Sequence, residues 1–302
     1  MQTNDIYSYR DGLAPEDAQA SVMLIALGGF VDAGHTQRLL VEHILSRHDH
    51  EVIASFDVDG LIDYRSRRPM LTFESDRYTS YAAPSLELHR VYDLDGTPFL
   101  MLTGVEPDYQ WEKVVAAVQR IGDELGVTLT VLAHGIPMGV PHTRPIGVTA
   151  HATDPSLTGG AQSPFGKVMV PGSLEGLIEL RLGKAGKDAI GYSVHVPHYL
   201  AQMPMPQASV VALDRIAGAT GLRIDRRELA QAAAQAEAGL REELSGREDV
   251  AEVVAALEQQ YDAYAGAQER RSLPAAEVET DLPTADEIAA EAEAFLRTLD
   301  EE

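Results

Sequence analysis

Short apolar runs alternate with amphipathic stretches through the first 220 residues, and that alternation restricts the chain to a few architectures. The run SVMLIAL (Ser21–Leu27) stops at Gly28-Gly29, and EVIASFDV begins at Glu51. Runs this short, bounded by turn residues, predict buried strands. TPFLMLTG, VTLTVLA, IGVTAHA and AIGYSVHV predict further strands. Between them, Leu39, Leu40, Ile44 and Leu45 recur at helical spacing within Ala33–Arg47, as do Val114, Val115, Val118 and Ile121 within Tyr109–Leu125. Ser173–Leu182 and Pro206–Ala219 predict two more helices. SLELHRVY is expected to pair with TPFLMLTG across the turn at Asp95-Gly96. The expected class is α/β, with a mostly parallel sheet, mixed through that hairpin and covered by helices on both faces.

The character changes at Asp225. From there to the end 21 acids face 7 arginines, so most of the net charge of −23 belongs to this part. The reading is an α/β domain over 1–224 and an acidic C-terminal helical extension over 225–302. Within the extension a helical hairpin is interrupted at Ser245-Gly246. A linker follows over 269–283. A final helix over 284–299 opens with a capping box at Thr284 and Glu287. So acidic a chain predicts neither nucleic acid nor anionic membrane as a partner, because both present negative charge. Cysteine is absent, which excludes disulfides and thiolate chemistry. No apolar run approaches the roughly 20 residues of a membrane helix, and the N-terminus lacks the basic and apolar regions of a secretory leader. The expected location is the cytoplasm.

Ligands of open α/β sheets bind beyond the carboxyl ends of the strands, so residues following each strand are the candidates. Gly28, Gly29 and Asp32 follow the first strand. They form neither a dinucleotide fingerprint nor a phosphate loop, and read first as a tight turn. After the second strand, three acids precede Arg65, Arg67 and Arg68, which reads as a loop-pinning ion-pair network. An anion clamp using Arg65 and Arg68 is the alternative. His134, His142 and Arg144 lie in the proline-stiffened stretch AHGIPMGVPHTRPIGVTAHAT, and His195 and His198 follow the strand AIGYSVHV. The histidine spacings match no zinc pattern, so neither a metal nor a cofactor is expected. GYSVH half resembles a nucleophile elbow, but the period-2 alternation keeps Ser193 inside a strand.

Five segments in order, GGFVDAG, LIDYRSRRP, GVEPDYQW, GIPMGVPHTRPIGVTAHAT and SVHVPHYL, resemble the bacterial branch of the proteasome assembly chaperone family, second-subunit type. The resemblance covers roughly residues 20–220, with the helical extension and LPTADEIAAEAEAFL also typical. It implies a three-layer α/β/α fold with a nucleoside-phosphorylase-like sheet, and self-association as a trimer or larger. Proteasome α-subunits are the partners it suggests. Some archaeal relatives dock through a hydrophobic–Tyr–X tail, whereas this chain ends Leu-Asp-Glu-Glu.

Two functions follow. One is a non-enzymatic scaffold or assembly factor, which predicts an apolar surface patch for another chain to cover. The other is a hydrolase- or phosphorylase-like binder of an anionic substrate. There Arg144 would hold the anion, His142 or His198 would act as general acid or base, and Gly28 and Gly29 would stabilise negative charge. This second reading requires those side chains, with Asp32, Arg65, Arg68, His134 and His195, to converge.

Overall fold

The computed structural model describes residues 6–29, 31–159, 166–244 and 248–272. Its strands are β1 (Tyr7–Tyr9), β2 (Val22–Gly28), β3 (His50–Phe56), β4 (Leu71–Glu74), β5 (Arg77–Tyr81), β6 (Leu86–Tyr92), β7 (Pro98–Val105), β8 (Leu129–Met138), β9 (Val148–Ala152) and β10 (Asp188–Pro197). The α-helices are α1 (Thr36–Arg47), α2 (Trp111–Glu124), α3 (Leu174–Lys184), α4 (Pro206–Thr220), α5 (Arg227–Leu244) and α6 (Glu248–Ser272).

One eight-stranded sheet runs in the order β1-β3-β6-β7-β2-β8-β10-β9. Its centre, β7-β2-β8-β10, is parallel, while β1, β3 and β6 on one flank and β9 on the other join by antiparallel pairs. The expected hairpin is present as β6–β7, with Leu88 opposite Leu102.

Successive side chains of a strand point to opposite faces, and β2 is apolar on both. Met23, Ile25 and Leu27 join Val114, Val118 and Ile121 of α2 and Leu174, Ile178 and Leu182 of α3. Val22, Leu24 and Ala26 join Leu40 and Ile44 of α1, Ala212, Leu213 and Ile216 of α4, and Leu229 of α5. The result is a three-layer α/β/α arrangement with a core on each side of the sheet.

Local chemistry sets the helix ends. A 3-10 turn over Ala33–His35 delays α1 beyond the expected start, and the Asp32 carboxylate accepts from the amides of Gln37 (2.7 Å) and Arg38 (3.1 Å). These amides have no partner within the helix, so Asp32→Ala is expected to cost about 1 kcal/mol. Urea unfolding would check this as a lower midpoint at unchanged slope. Ser173 caps α3 by accepting from the Gly176 amide at 3.1 Å. Gly104 in β7 has φ +137°, and a Cβ there would stand 2.0 Å from the Ser85 carbonyl oxygen.

The chain divides into two units, Met1–Glu258 and Gln259–Glu302. In the first, α5 buries Leu229 and Ala233 in the core. In the second, the described part is the helical backbone to Ser272, so the expected linker begins helical. The interruption at Ser245-Gly246, the rest of the linker and the expected helix over 284–299 lie outside the described residues. Among the described residues no helix is long and apolar enough to cross a membrane.

Candidate functional site

The sheet separates the residues expected to converge. Gly28 and Gly29 end β2 in the open, but Asp32 already occupies the α1 amides. A Cβ on Gly29 would meet the Glu106 carboxylate at 2.7 Å. Two carboxylates thus border this turn, and an added anion would be repelled. Arg65 and Arg68 are exposed on the loop after β3. Arg67 is the arginine that pins the loop, donating to the Glu106 carbonyl oxygen at 2.6 Å and pairing with Asp108. Burial pushes the Asp108 carboxyl up, but hydrogen bonds from Arg67 and the Asp63 amide hold it below its ordinary value.

His142 and Arg144 line a groove of about 730 Å³ together with Met205, Val211, Ala233 and Leu240. The His142 amide donates to the Tyr199 hydroxyl at 2.9 Å, and its Nδ1 lies 2.7 Å from the same oxygen. Burial lowers the His142 pKa. Arg144 donates to Glu258 at 2.9 Å, so its charge is matched within the chain. His198 is exposed, edge-on to Tyr199 with ring centres 5.4 Å apart.

His134 and His195 stand on the other side of the sheet. In β10, Ile190, Tyr192, Val194 and Val196 enter the core beneath α1 and α4, so Gly191, Ser193 and His195 face the α3 side. The expected single cleft lined by His134, His142, Arg144, His195 and His198 is therefore corrected: strand alternation divides it between two faces.

On the α3 face a row of polar groups assembles that was largely missed in the sequence. His134 Nε2 lies 3.4 Å and His151 Nε2 3.5 Å from the Ser193 hydroxyl. The opposite ring nitrogen of each faces a glutamate of α3. His151 Nδ1 is 2.8–2.9 Å from the Glu179 carboxylate, and His134 Nδ1 is 3.7 Å from Glu175. Glu175 and Glu179 are one helical turn apart, which lets both reach the sheet. Glu175 is buried and accepts from the Leu27 amide and the Gln37 side chain, both at 2.8 Å. Burial, reinforced by Glu106 and Asp32, pushes its pKa up to about 8, so it is protonated at neutral pH. His134 is lowered to about 4 by burial and by His151, so it is neutral.

Gly191 makes room for this row, since a Cβ there would lie 2.0 Å from the His151 ring. A glycine inside a strand marks such close approaches. The signal available in the sequence was the small or polar character of alternate β10 positions. Among the described residues no group of three or more His, Asp or Glu could hold a metal ion.

A second feature is apolar. The β4–β5 hairpin is exposed along its whole length, with Met70 at 75%, Phe73 at 57% and Tyr78 at 69% exposure. Phe73 and Tyr78 pair across it edge to face, ring centres 5.2 Å apart. Leu71 and Tyr81 extend the patch.

The PAC2 family model matches residues 26–244. A Mycobacterium tuberculosis protein of unknown function is similar over 90% of this chain and 94% of its own, at 42% identity and TM-score 0.84. A Corynebacterium glutamicum protein of unknown function is similar over 86% and 98%, at 38% identity and TM-score 0.80. A Mycobacterium tuberculosis proteasome-assembly chaperone homologue shares the fold over 77% and 99%, at 23% identity and TM-score 0.70. No curated protein matches the chain.

Proposed function

The chain belongs to the PAC2 family, and from that premise we propose that it is a non-enzymatic scaffold or assembly factor that associates with copies of itself, as a trimer or larger. The observation that carries this reading is the β4–β5 hairpin. Apolar side chains of its size are normally buried, and a contiguous exposed patch marks an interaction surface. Two strands alone are marginal in water, so the hairpin gains from a partner's cover. Proteasome α-subunits are the heterologous partners proposed, in line with the chaperone homologue that shares the fold.

The competing reading, an enzyme acting on an anionic substrate through His142 and His198, has less support. Arg144 is paired with Glu258, and the groove beside it is mainly apolar.

Light scattering coupled to size exclusion tests self-association. Wild type is expected to run as an oligomer, and Phe73→Glu/Tyr78→Glu as a monomer with unchanged far-UV dichroism. A monomeric wild type, or an oligomer indifferent to both charges, overturns this part. Affinity capture from the native host tests the partner: α-subunits should accompany wild type and a His142→Ala/Arg144→Ala variant alike. Their absence with both baits overturns the proteasomal part.

A further inference from the structure

We propose that Ser193, His151 and Glu179 form a nucleophile–base–orienter set that transfers an acyl group from a small, uncharged ester to the Ser193 hydroxyl. The proposal keeps the scaffold role of the hairpin and departs only from its non-enzymatic part, and it concerns the opposite end of the sheet from the hairpin-bearing flank.

The three roles are defined by geometry rather than by sequence order. Glu179 lies 2.8–2.9 Å from His151 Nδ1, which places the proton of the neutral ring on that nitrogen. Nε2 then presents its lone pair to the Ser193 hydroxyl, 3.5 Å away. That distance is loose, as such contacts often are before substrate binds. His134 approaches the hydroxyl separately, with Nε2 3.4 Å from it. Nδ1 of His134 lies 3.7 Å from Glu175, beyond hydrogen-bond reach, and in the tautomer with its proton on Nε2 the ring donates toward the reacting centre. A neutral imidazole N–H is an effective donor to a developing oxyanion.

The site is built for this ring placement. Gly191, two residues before Ser193, is the position where any side chain would displace His151. Ser193, His134 and His151 are all partly exposed, so a substrate carbonyl can reach them. The substrate class follows from the charges. The Glu179 carboxylate stands behind His151, and among the described residues neither Lys nor Arg bonds to Ser193, His134, His151, Glu175 or Glu179. An anionic ester would be repelled, and a neutral one would not.

In the first step the Ser193 oxygen bonds to the ester carbonyl carbon as its proton passes to His151 Nε2. Collapse of the tetrahedral intermediate breaks the carbon–alkoxy bond, and the leaving alcohol takes the proton from His151. Water then attacks the acyl-serine by the same route, releasing the carboxylic acid and restoring the hydroxyl.

The test is covalent labelling of the full-length protein with a fluorophosphonate, followed by peptide mass mapping and by hydrolysis of p-nitrophenyl acetate. Wild type is expected to carry one adduct on Ser193. Ser193→Ala should lose that adduct, and His151→Gln should label about a hundredfold more slowly. Glu179→Gln should fall between, and each variant's melting temperature reports that it is folded. An unlabelled Ser193 in wild type overturns the proposal. So does a labelling rate unchanged in folded His151→Gln, which would reduce the row to a packing feature.

Discussion

Gly104→Ala is expected to lose about 3 kcal/mol or more of stability and to accumulate mainly as insoluble protein. The substituted residue would have to hold φ +137°, and its Cβ would stand 2.0 Å from the Ser85 carbonyl oxygen and 2.7 Å from the Leu86 Cα. Both obstacles are backbone atoms at the start of β6, which cannot move aside as a flexible side chain can. Any relief must open the β6–β7 pair at Leu86–Gly104. Gly218→Ala is the matched control. It lies inside α4, with nothing within 4 Å of the added carbon, and should gain up to about 1 kcal/mol from helix propensity. Urea midpoints moving in opposite directions would establish the pair. A Gly104→Ala chain as stable as wild type would contradict the close approach of β6 and β7.

Glu175→Gln is expected to change how stability depends on pH. The folded-state pKa of Glu175 is raised from the ordinary 4.5 to about 8. Below the lower value the carboxyl is neutral folded and unfolded, and burial carries no ionisation penalty. Between the two values the unfolded chain releases the proton and the folded chain keeps it, so stability falls as pH rises. Above the upper value the loss is complete, on the order of a few kcal/mol. The Gln amide oxygen can still accept from the Leu27 amide and the Gln37 side chain. The variant should therefore match wild type near pH 4.5 and exceed it near pH 8. Chemical denaturation across that range is the measurement, and parallel curves would remove Glu175 from the account.

The core of the fold was legible because hydrophobic period carries it. SVMLIAL is apolar on both faces, which suits a central parallel strand, and β2 lies between β7 and β8. The Asp95-Gly96 turn marks the β6–β7 hairpin in the sequence itself. β1 and the β4–β5 hairpin were not anticipated. Their side chains lie at the sheet edge or outside the core, so burial imprints little apolar alternation on them. The polar row was less legible for a different reason. Glu175 and Glu179 lie in a helix whose apolar stripe is Leu174, Ile178 and Leu182, and adjacent acids there look like an ordinary solvated face. Only the register of β8, β9 and β10 brings His134 and His151 to Ser193, and register is a tertiary property. His142, Arg144 and His198 follow the ends of β8 and β10, whereas strand alternation gives His134 and His195 the opposite face.

The position of β2 between β7 and β8 also bears on how the chain is born. β2 is among the first apolar segments to leave the ribosome, yet both strands that flank it are encoded far downstream. At about 5–20 residues per second, the roughly 100 residues needed to supply both neighbours take on the order of ten seconds. Until β7 emerges both edges of this sticky run are open, and until β8 emerges one of them still is. A stalled or truncated product ending before β8 would thus be a ready client for holdases and a seed for co-translational aggregation, whereas release after β8 would let the sheet close.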